Sequence, residues 1–377
     1  MLNALTLPCT GLGASSKLLM HLDDLCAILC PASILGSPEK TRFNAKAQKT
    51  QSIISLRPCV LAALRYLFFS VDSSLNLKGI AMKLKLSARP PFSLSAVVGS
   101  HGWIQLAPFS KDKRTGGLVY IGQLDSERVV GMLIVQETPV AVSIEVDALL
   151  SEAERAEIAC QVEWMLGLDQ DFSAFYALAR QEPKLARMEK RAQGRLLRSP
   201  TLFEDTIKTI LTTNTAWSGT IRMTEALVSA FGAPLPADPT RRAFPGPDRL
   251  AAAGEETLRS SARLGYRAPY VLELARKVAS GALDLESLKR TGFPTDELRK
   301  RLLAIKGVGE YAAANLLMLL GRYNFVPVDS WALKMVSHEW YSGEAIDRAK
   351  VEAAFERWGE CKGLAYWFWD WSYTNES

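Results

Sequence analysis

Short apolar runs, broken by glycine and proline, follow one another along the chain from Met82 to Asp147. They are rich in valine, isoleucine and aromatic residues, which fit a pleated, half-buried surface. The runs read FSLSAVV, GWIQLA, GLVYIGQL, RVVGMLIVQE and VAVSIEV. Runs this short and closely spaced predict an antiparallel β sheet.

Beyond Asp147 the apolar positions change to a helical period. Ser151 and Glu154 have the spacing of a capping box, and Ile158 and Val162 recur on one face of the helix that would follow. Further helical patterns continue to the C-terminal part of the chain, without a fixed-period repeat. The predicted class is α+β, with an N-terminal antiparallel β subdomain followed by a mainly helical domain.

This pattern divides the chain into three parts. Residues 82–180 form the β subdomain with the helices that follow it, and residues 181–377 form the helical domain. Residues 1–81 contain apolar residues without a sustained period, and their longest apolar run, CVLAALRYLFFSV, is too short to span a bilayer. We interpret them as a disordered or non-native extension, such as an over-extended gene start before Met82. A transit peptide is the alternative, although Asp23 and Asp24 lie where such peptides avoid acids.

The charge of the chain gives a weak hint of nucleic acid. The net charge is +5, but residues 1–81 hold eight Lys and Arg against four Asp and Glu, so the remainder is nearly neutral. Any DNA affinity must therefore come from local patches. The most basic run is KLARMEKRAQGRLLR at 184–198, a pattern that by itself is more typical of a solvated helix face.

Cysteine and histidine usage argues against metal sites. After residue 81 the cysteines are Cys160 and Cys361, too few for a disulfide framework or a four-cysteine iron–sulfur cluster. The three histidines of the chain are widely separated, which argues against a histidine-rich metal site. We expect no metal and no iron–sulfur cluster, and a reducing compartment, the cytoplasm or a nucleus.

The stretch LLAIKGVGEYAAANLL, residues 302–317, predicts two helices joined by a glycine turn. Glycines at 307 and 309 permit a positive φ and would leave the backbone N–H groups of Val308, Gly309 and Glu310 exposed at a helix start, where an anion can bind. An ordinary corner between two helices with a glycine cap is the alternative.

A lone acid follows this hairpin in the sequence VPVDSW. A helix over 310–320 is about 17 Å long, and residues 322–328 can reach back up to about 24 Å. Asp329 can therefore return to the neighbourhood of the hairpin. It is also a good N-cap for a following helix, worth about 1 kcal/mol.

The combination of hairpin and acid resembles the helix-hairpin-helix (HhH-GPD) DNA glycosylases of base-excision repair, including the 3-methyladenine and 8-oxoguanine enzymes. The segments SPTLFEDTIKTILTTNTAW at 199–217, LGYRAPYVLELARKV at 264–278 and SHGWIQLAPF in the β subdomain are also similar to that family. The resemblance spans about residues 85–377. It implies a monomeric enzyme without a membrane segment that acts on double-stranded DNA containing a damaged base.

The resemblance also assigns roles to single residues. Asp329 takes the place of the catalytic carboxylate, and Asn214 that of the wedge that fills the stack when a base is flipped out. Tyr266 and Arg267 match positions that disrupt the stack and contact the unpaired partner base in the 8-oxoguanine enzymes. Without the resemblance, Asn214 would be read as a helix cap, Tyr266 as half core and Arg267 as a surface ion-pair partner.

The hairpin of the family holds a DNA phosphate on its amides, which here assigns DNA contacts to Gly307, Val308 and Gly309, with Lys306 assisting. Relatives often carry a monovalent cation against the hairpin carbonyls, and no other cofactor is expected. Where lyase-competent relatives have a catalytic lysine, this chain has Tyr311, which the resemblance places in the base pocket. The run GLAYWFWDWSY contains Trp367, Trp369 and Trp371. We expect one of them beside the base pocket and at least two in the core.

Three functions remain open at this point. The first is a monofunctional glycosylase that releases alkylated purines by hydrolysis. The second is an oxidised-purine glycosylase, favoured by the segment LGYRAPYV. The third is a DNA-binding helix-hairpin-helix module without catalysis, which Asp329 argues against because a binding hairpin needs no such acid.

Overall fold

The computed structural model describes residues 82–290 and 292–371. The predicted N-terminal extension, residues 1–81, lies outside the described residues, so that interpretation remains a prediction.

Five strands form one antiparallel sheet in the order β1-β5-β4-β3-β2. The strands are β1 (Met82–Ser87), β2 (Phe109–Lys111), β3 (Leu118–Gln123), β4 (Val129–Thr138) and β5 (Ala141–Val146). Along β4 the side chains of Val130, Met132 and Ile134 are buried and their neighbours are more exposed, the period-two pattern of a sheet with one covered face. The predicted antiparallel β subdomain is confirmed.

Two of the runs predicted as strands are helical. The run FSLSAVV forms α1 (Leu94–Val98), because Ser93 caps it by accepting a hydrogen bond from the N–H of Ala96. The run GWIQLA forms a 3₁₀ turn, Gly102–Gln105. The sheet gains β1 instead, and all six of its residues pair with β5.

Helices make up most of the chain after β5. They are α2 (Glu152–Leu166), α3 (Ser173–Ala179), α4 (Leu202–Thr212), α5 (Trp217–Phe231), α6 (Pro247–Ala253), α7 (Glu255–Ser261), α8 (Ala268–Ala279), α9 (Thr295–Leu303), α10 (Glu310–Leu319), α11 (Ser330–Trp340), α12 (Arg348–Phe355) and α13 (Lys362–Phe368), with a short ribbon, β6 (Pro234–Leu235) and β7 (Asp238–Arg242), between α5 and α6. The capping box predicted for α2 is confirmed: the Ser151 hydroxyl accepts from the N–H of Glu154, whose carboxylate accepts from the N–H of Ser151. None of the helices in the described part of the chain is long and apolar enough to cross a bilayer.

Helix α4 lies at the centre of the fold, with its residues from Leu202 to Leu211 all buried. Burial on every side forces its charged residues to find partners inside the protein. Lys208 Nζ lies 2.6 Å from Glu204 Oε1, and the Tyr120 hydroxyl of β3 donates to Glu204 Oε2 at 2.7 Å. These contacts attach the helical region to the sheet, and α10 packs against the same central helix.

The basic run at 184–198 does not form a solvated helix face. It consists of turns and extended backbone, and Arg195 and Arg198 are buried. The Arg195 guanidinium donates to the carbonyls of Arg89, Pro91, Gly167 and Gln170. It therefore joins two segments of backbone, 89–91 and 167–170, to its own. Two of the six basic residues in the run therefore stabilise the fold and are withdrawn from the surface.

Candidate active site at the hairpin and Asp329

The hairpin between α9 and α10 needs glycine at position 307 for two reasons. Gly307 has φ +90°, which is unfavourable for residues with a side chain, and a Cβ there would lie 2.8 Å from the Tyr270 ring. Gly309 differs, because its backbone is extended and a Cβ would meet no atom within 4 Å. Position 309 thus leaves open space in front of the first turn of α10.

The amides at the start of α10 are partly available to an anion. The expectation for Val308 is wrong in one respect: its N–H donates to the Ile305 carbonyl at 3.0 Å, and its side chain is buried. Gly309 caps α10 without a side-chain hydrogen bond. The N–H groups of the first turn, from Glu310 onward, therefore have no acceptor within the helix, as is usual at helix starts. An anion site here would use amides from 309 onward.

Two charged groups flank the hairpin. Lys306 is about half exposed, and its Nζ lies 3.4 Å from the Glu273 carboxylate. Glu310 forms ion pairs with Arg299 and with Arg348. Exposed pairs of this kind are weak, so Lys306 can leave Glu273 for a stronger partner such as a phosphate.

Asp329 is half-buried and caps α11. Its Oδ1 accepts the N–H of Ala332 at 2.8 Å, so the N-cap interpretation of this residue is correct. For its second oxygen, the described residues provide no hydrogen-bond donor. The cap therefore fixes the carboxylate through one oxygen, and the other can face a ligand.

Two phenols lie close enough to Asp329 to sense its charge. Burial raises the pKa of Tyr311, and the negative charge of Asp329 raises it further, against hydrogen bonds to Thr212 and Asn315 that lower it. Burial raises the pKa of Tyr366 well above its ordinary value, with added contributions from Asp329 and Tyr311. Both phenols therefore remain neutral around neutral pH. Asp329, Tyr311 and Tyr366 form one group, which we call the acid site.

Aromatic side chains surround the acid site. Trp331, two residues after the acid, is 45% exposed and meets the Tyr366 ring edge-on at 6.3 Å. The Trp371 ring lies 5.6 Å from Trp331, whereas Trp369 is buried in the core. Trp367 donates its indole N–H to the Ser100 carbonyl. We call the rings of Tyr311, Tyr366 and Trp331 the aromatic wall. Of the three tryptophans in the C-terminal run, Trp371 is the one that contacts this wall.

The three residues expected at the DNA stack do lie together. Asn214 follows α4 with φ +48°, and its Nδ2 lies 3.4 Å from the Tyr266 hydroxyl. Arg267 is 6% exposed and donates to the carbonyls of Thr213 and Asn214. Tyr266 is exposed, as a stacking residue requires, but the Arg267 guanidinium is turned into the protein. The expected contact of Arg267 with a partner base therefore has no counterpart in this arrangement, and its reading as a surface ion-pair partner fails for the same reason.

A second polar group is buried around Asp205, a residue in the first turn of α4. Asp205 Oδ1 accepts from Trp103 Nε1 at 2.8 Å and from the Ser199 N–H at 2.9 Å. Burial raises the pKa of Asp205 to about 6. Burial likewise lowers the pKa of His101 to about 4, although its Nε2 donates to the Leu197 carbonyl. We call this group the buried anchor: Asp205 is 0% exposed, and His101 lies at its edge, partly buried.

Sequence reasoning missed three contributors to the acid site. Tyr366 lies in the run GLAYWFWDWSY, in which only the tryptophans were candidates for the base pocket. Trp331 lies two residues after Asp329, and Thr212 is the last residue of α4. Within residues 82–290 and 292–371, no group of three or more His, Cys, Asp or Glu side chains is arranged to hold a metal ion.

The part of the chain that carries these residues matches a known family. Residues 207–361 match the model of the HhH-GPD superfamily base excision DNA repair proteins. Over these residues the chain is similar to the HhH-GPD superfamily. The matched HhH-GPD region includes Asn214, Tyr266, Arg267, the hairpin and Asp329.

Two curated relatives resemble the chain in sequence. A DNA-3-methyladenine glycosylase of Bacillus subtilis is 27% identical over 183 residues, which cover 48% of this chain and 60% of that protein. A probable N-glycosylase/DNA lyase of Methanothermobacter thermautotrophicus is 25% identical over 221 residues, covering 53% of this chain and 70% of the relative. The chain thus spans less than two thirds of the Bacillus relative.

Solved structures share the fold over most of its length. The 3-methyladenine DNA-glycosylase of Archaeoglobus fulgidus is 21% identical, with a TM-score of 0.61, and the match covers 76% of this chain and 97% of that one. The Clostridium acetobutylicum 8-oxoguanine glycosylase/lyase, solved with DNA containing cytosine opposite 8-oxoguanine, is 20% identical with a TM-score of 0.59, covering 79% and 98%. At these identities the likeness establishes the fold alone, an antiparallel sheet joined to a mainly helical domain.

Proposed function

We propose that this protein is a monofunctional DNA glycosylase of base-excision repair, which hydrolyses the N-glycosidic bond of alkylated purines in double-stranded DNA. The observation that carries the proposal is the acid site. A carboxylate is fixed through one oxygen at the start of α11, with two neutral phenols close to its charge. It follows the hairpin within the HhH-GPD region.

One carboxylate is sufficient for this chemistry. Breaking the N-glycosidic bond develops positive charge on the deoxyribose, and a negative charge that is already in place stabilises that state without reorganisation. The free oxygen of Asp329 can also accept a proton from, or orient, the attacking water. An alkylated purine carries positive charge and is a good leaving group, so the enzyme need not protonate it.

The aromatic wall fits a base that has left the stack. Tyr311 and the exposed Trp331 offer rings on which a flat, cationic base can pack, and the buried Tyr366 ring supports Trp331 edge-on. Because both phenols are neutral, their hydroxyl groups remain donors. Cation–π attraction favours an alkylated base over an uncharged one.

The hairpin supplies the anchor on DNA. The amides from Gly309 onward and the Lys306 ammonium would hold one phosphate, without reading sequence. A monovalent cation against the hairpin carbonyls is compatible with this role, though the Ile305 carbonyl is already occupied by the Val308 N–H. The protein acts as a monomer in this proposal.

The nucleophile in the proposed reaction is water. A Schiff base requires an amine at the sugar, and the family position of that amine holds Tyr311, whose phenol cannot form one. Lys306 is drawn toward Glu273 on the outside of the hairpin, and Lys334 is exposed on α11. The product is then an abasic site in an unbroken strand.

An oxidised-purine glycosylase is the second candidate. The exposed position of Tyr266 beside Asn214 supports it, because the segment LGYRAPYV resembles the 8-oxoguanine branch. The Methanothermobacter thermautotrophicus relative, named a probable N-glycosylase/DNA lyase, is compatible with this candidate. The two candidates differ in the leaving group, which is cationic for alkylated purines and neutral for 8-oxoguanine.

The test is a panel of duplexes, each with one lesion, incubated with the protein and divided into samples with and without alkali. We expect base release from alkylated purines, strand breaks in the alkali samples alone, and no covalent adduct when borohydride is present during turnover. Strand cleavage without alkali together with a trapped adduct would overturn the monofunctional assignment. Release of 8-oxoguanine alone would select the second candidate.

A Tyr311→Lys variant provides the matched control for trapping. It places an amine at the position that Tyr311 now occupies beside Asp329, so an adduct should appear with this variant if the geometry is that of the family. An adduct in the parent protein that disappears in a Lys306→Ala or Lys334→Ala variant would identify an unexpected nucleophile.

A further inference from the structure

The short loop at 213–216, which joins α4 to α5 and carries Asn214, is held from two sides by the rest of the protein. We call it the wedge loop. Asn214 has a left-handed backbone, φ +48°, which asparagine tolerates better than most residues but which still needs support from its surroundings. The support comes from side chains that bind the loop carbonyls and from the anchoring of Trp217, the residue that follows the loop.

The first brace is Arg267 with Tyr266. The Arg267 guanidinium donates to the carbonyls of Thr213 and Asn214, and it lies 4.5 Å from the centre of the Tyr266 ring. The Tyr266 hydroxyl is 3.3 Å from the Thr213 carbonyl. A hydrogen bond from a charged donor is about twice as strong as a neutral one, so Arg267 is the stronger partner of the loop.

The donors of Arg267 are all directed into the protein. Nη1 faces Met223 Sδ at 3.8 Å, and Nε is buried without a partner. Turning the guanidinium toward DNA would release both wedge-loop carbonyls. Arg267 therefore cannot support the loop and contact a partner base at once.

The second brace is Trp217, the first residue of α5. Its indole Nε1 donates to Gln105 Oε1 at 3.0 Å, and its ring packs on Gly102 so closely that a Cβ there would lie 2.1 Å away. Trp103, the residue after Gly102, donates its indole N–H to the buried Asp205. The 3₁₀ turn Gly102–Gln105 is thus anchored in the core on one side and holds the wedge loop on the other.

We infer that Arg267 and Trp217 are positioning residues that hold the wedge loop ready before DNA binds, and that Arg267 does not read the partner base. The inference rests on the proposed function. Fixing one residue in a single backbone conformation is costly, and a loop that is already ordered avoids that cost when the damaged base leaves the stack. Because Arg267 is committed to the loop, the protein discriminates little among the four partner bases.

The test compares one lesion in three contexts: paired in a duplex, unpaired in a small bubble, and in a single strand. Extrusion costs most from the paired duplex and least from the single strand. The variants are Arg267→Met, which keeps volume but removes the donors, Arg267→Lys, which restores a charge, and Gly102→Ala, which displaces Trp217. Thermal melting of each variant identifies losses that come from unfolding.

We expect Arg267→Met and Gly102→Ala to lose about tenfold or more in base release from the paired duplex, less from the bubble, and about twofold or less from the single strand. Arg267→Lys should recover part of the loss. Equal losses in all three contexts, or no loss from the paired duplex, would overturn the inference. So would a strong preference for one partner base that Arg267→Lys abolishes.

A second measurement separates this inference from the proposed function. A duplex with an abasic site and a neighbouring 2-aminopurine reports insertion of the wedge by fluorescence and needs no base release. We expect the insertion signal with the parent protein and a weaker one with Arg267→Met at saturating protein. If the parent protein gave this signal but released no base, the proposed function would fail while the inference stood; an undiminished signal from Arg267→Met would contradict the inference.

Discussion

The acid site and the buried anchor each place an aspartate near the start of a helix, but in opposite environments. Asp205 is completely buried, and one of its oxygens accepts two hydrogen bonds within the protein. Asp329 is half-buried and uses one oxygen to cap α11. The second oxygen of Asp205 has no hydrogen-bond partner either, but burial closes it off from ligands. The second oxygen of Asp329 lies on a half-buried residue, where a ligand can reach it.

The comparison shows why position in the fold matters more than residue type. The buried anchor also holds the Glu204–Lys208 pair, 2.6 Å apart and closed off from solvent. The acid site has an exposed tryptophan at its edge and two phenols whose pKa values are raised by burial and further by the neighbouring carboxylate. The charges at the anchor are paired or hydrogen-bonded inside the protein, whereas the charge at the acid site is accessible to a ligand. Mutations should separate the two.

The largest expected effect on stability is at the anchor. Lys208→Ala leaves the Glu204 carboxylate buried without its cation, and we expect a loss of about 3–5 kcal/mol in the free energy of unfolding. Urea denaturation measures it. The double variant Glu204→Gln with Lys208→Met removes both charges at similar volume and should lose much less. A loss below about 1 kcal/mol for Lys208→Ala would mean that the pair is not closed off from water.

His101 gives the anchor a pH dependence. Its pKa falls from an ordinary 6.5 to about 4 in the folded protein, so its contribution is fully present above pH 6.5 and is lost as the pH falls toward 4. The loss amounts to about 3 kcal/mol at most. Asp205 acts in the opposite direction, because its raised pKa of about 6 makes the buried charge less costly as the pH falls through 6.

Comparison with a His101→Gln variant isolates the histidine from this opposing effect. Glutamine does not titrate, and its amide can donate to the Leu197 carbonyl. We expect the stability advantage of the parent protein over this variant to shrink between pH 6.5 and 4 in urea titrations. An advantage that stays constant over this range would show that His101 is protonated in the folded protein or exposed to water.

A smaller effect is expected at the acid site. Tyr366→Phe removes a neutral hydroxyl close to Asp329 while keeping the ring against Trp331. We expect about a tenfold slower base release, because a dipolar hydroxyl close to the carboxylate is lost, with little change in stability. Tyr176→Phe is the matched control, because the Tyr176 hydroxyl donates to the Gln193 carbonyl away from the site. Equal activity losses in both variants would remove Tyr366 from the acid site.

The fold was largely predictable because its strands and helices follow period rules. Strands β3, β4 and β5 and the capping box of α2 were read from local pattern alone. The prediction of strands at 92–98 and 102–107 was wrong, because a serine cap and the fit of Gly102 beneath Trp217 outweigh strand propensity. These are contacts over three residues in one case and over more than a hundred in the other, and only the first could have been read from the sequence.

The site was predictable where a motif is local. The hairpin and Asp329 both lie between residues 302 and 329, whereas Tyr366 reaches the same site from α13, further along the chain. Arg267 shows the limit of resemblance: its position along the chain matches the family, yet its guanidinium is turned beneath the wedge loop. The direction of a long side chain depends on the partners around it, which no linear pattern contains.

The central claim is that Asp329 performs chemistry and Asp205 does not. Single-turnover base release and thermal melting, measured side by side on Asp329→Asn and Asp205→Asn, test it most directly, because asparagine keeps the helix cap at 329 and the acceptor oxygen at 205. We expect Asp329→Asn to melt like the parent protein and to lose about 10²–10³-fold or more in rate. We expect Asp205→Asn to keep its rate within about threefold while its stability no longer varies with the Asp205 titration. Near-parental base release by Asp329→Asn would reduce this aspartate to a helix cap and contradict the account.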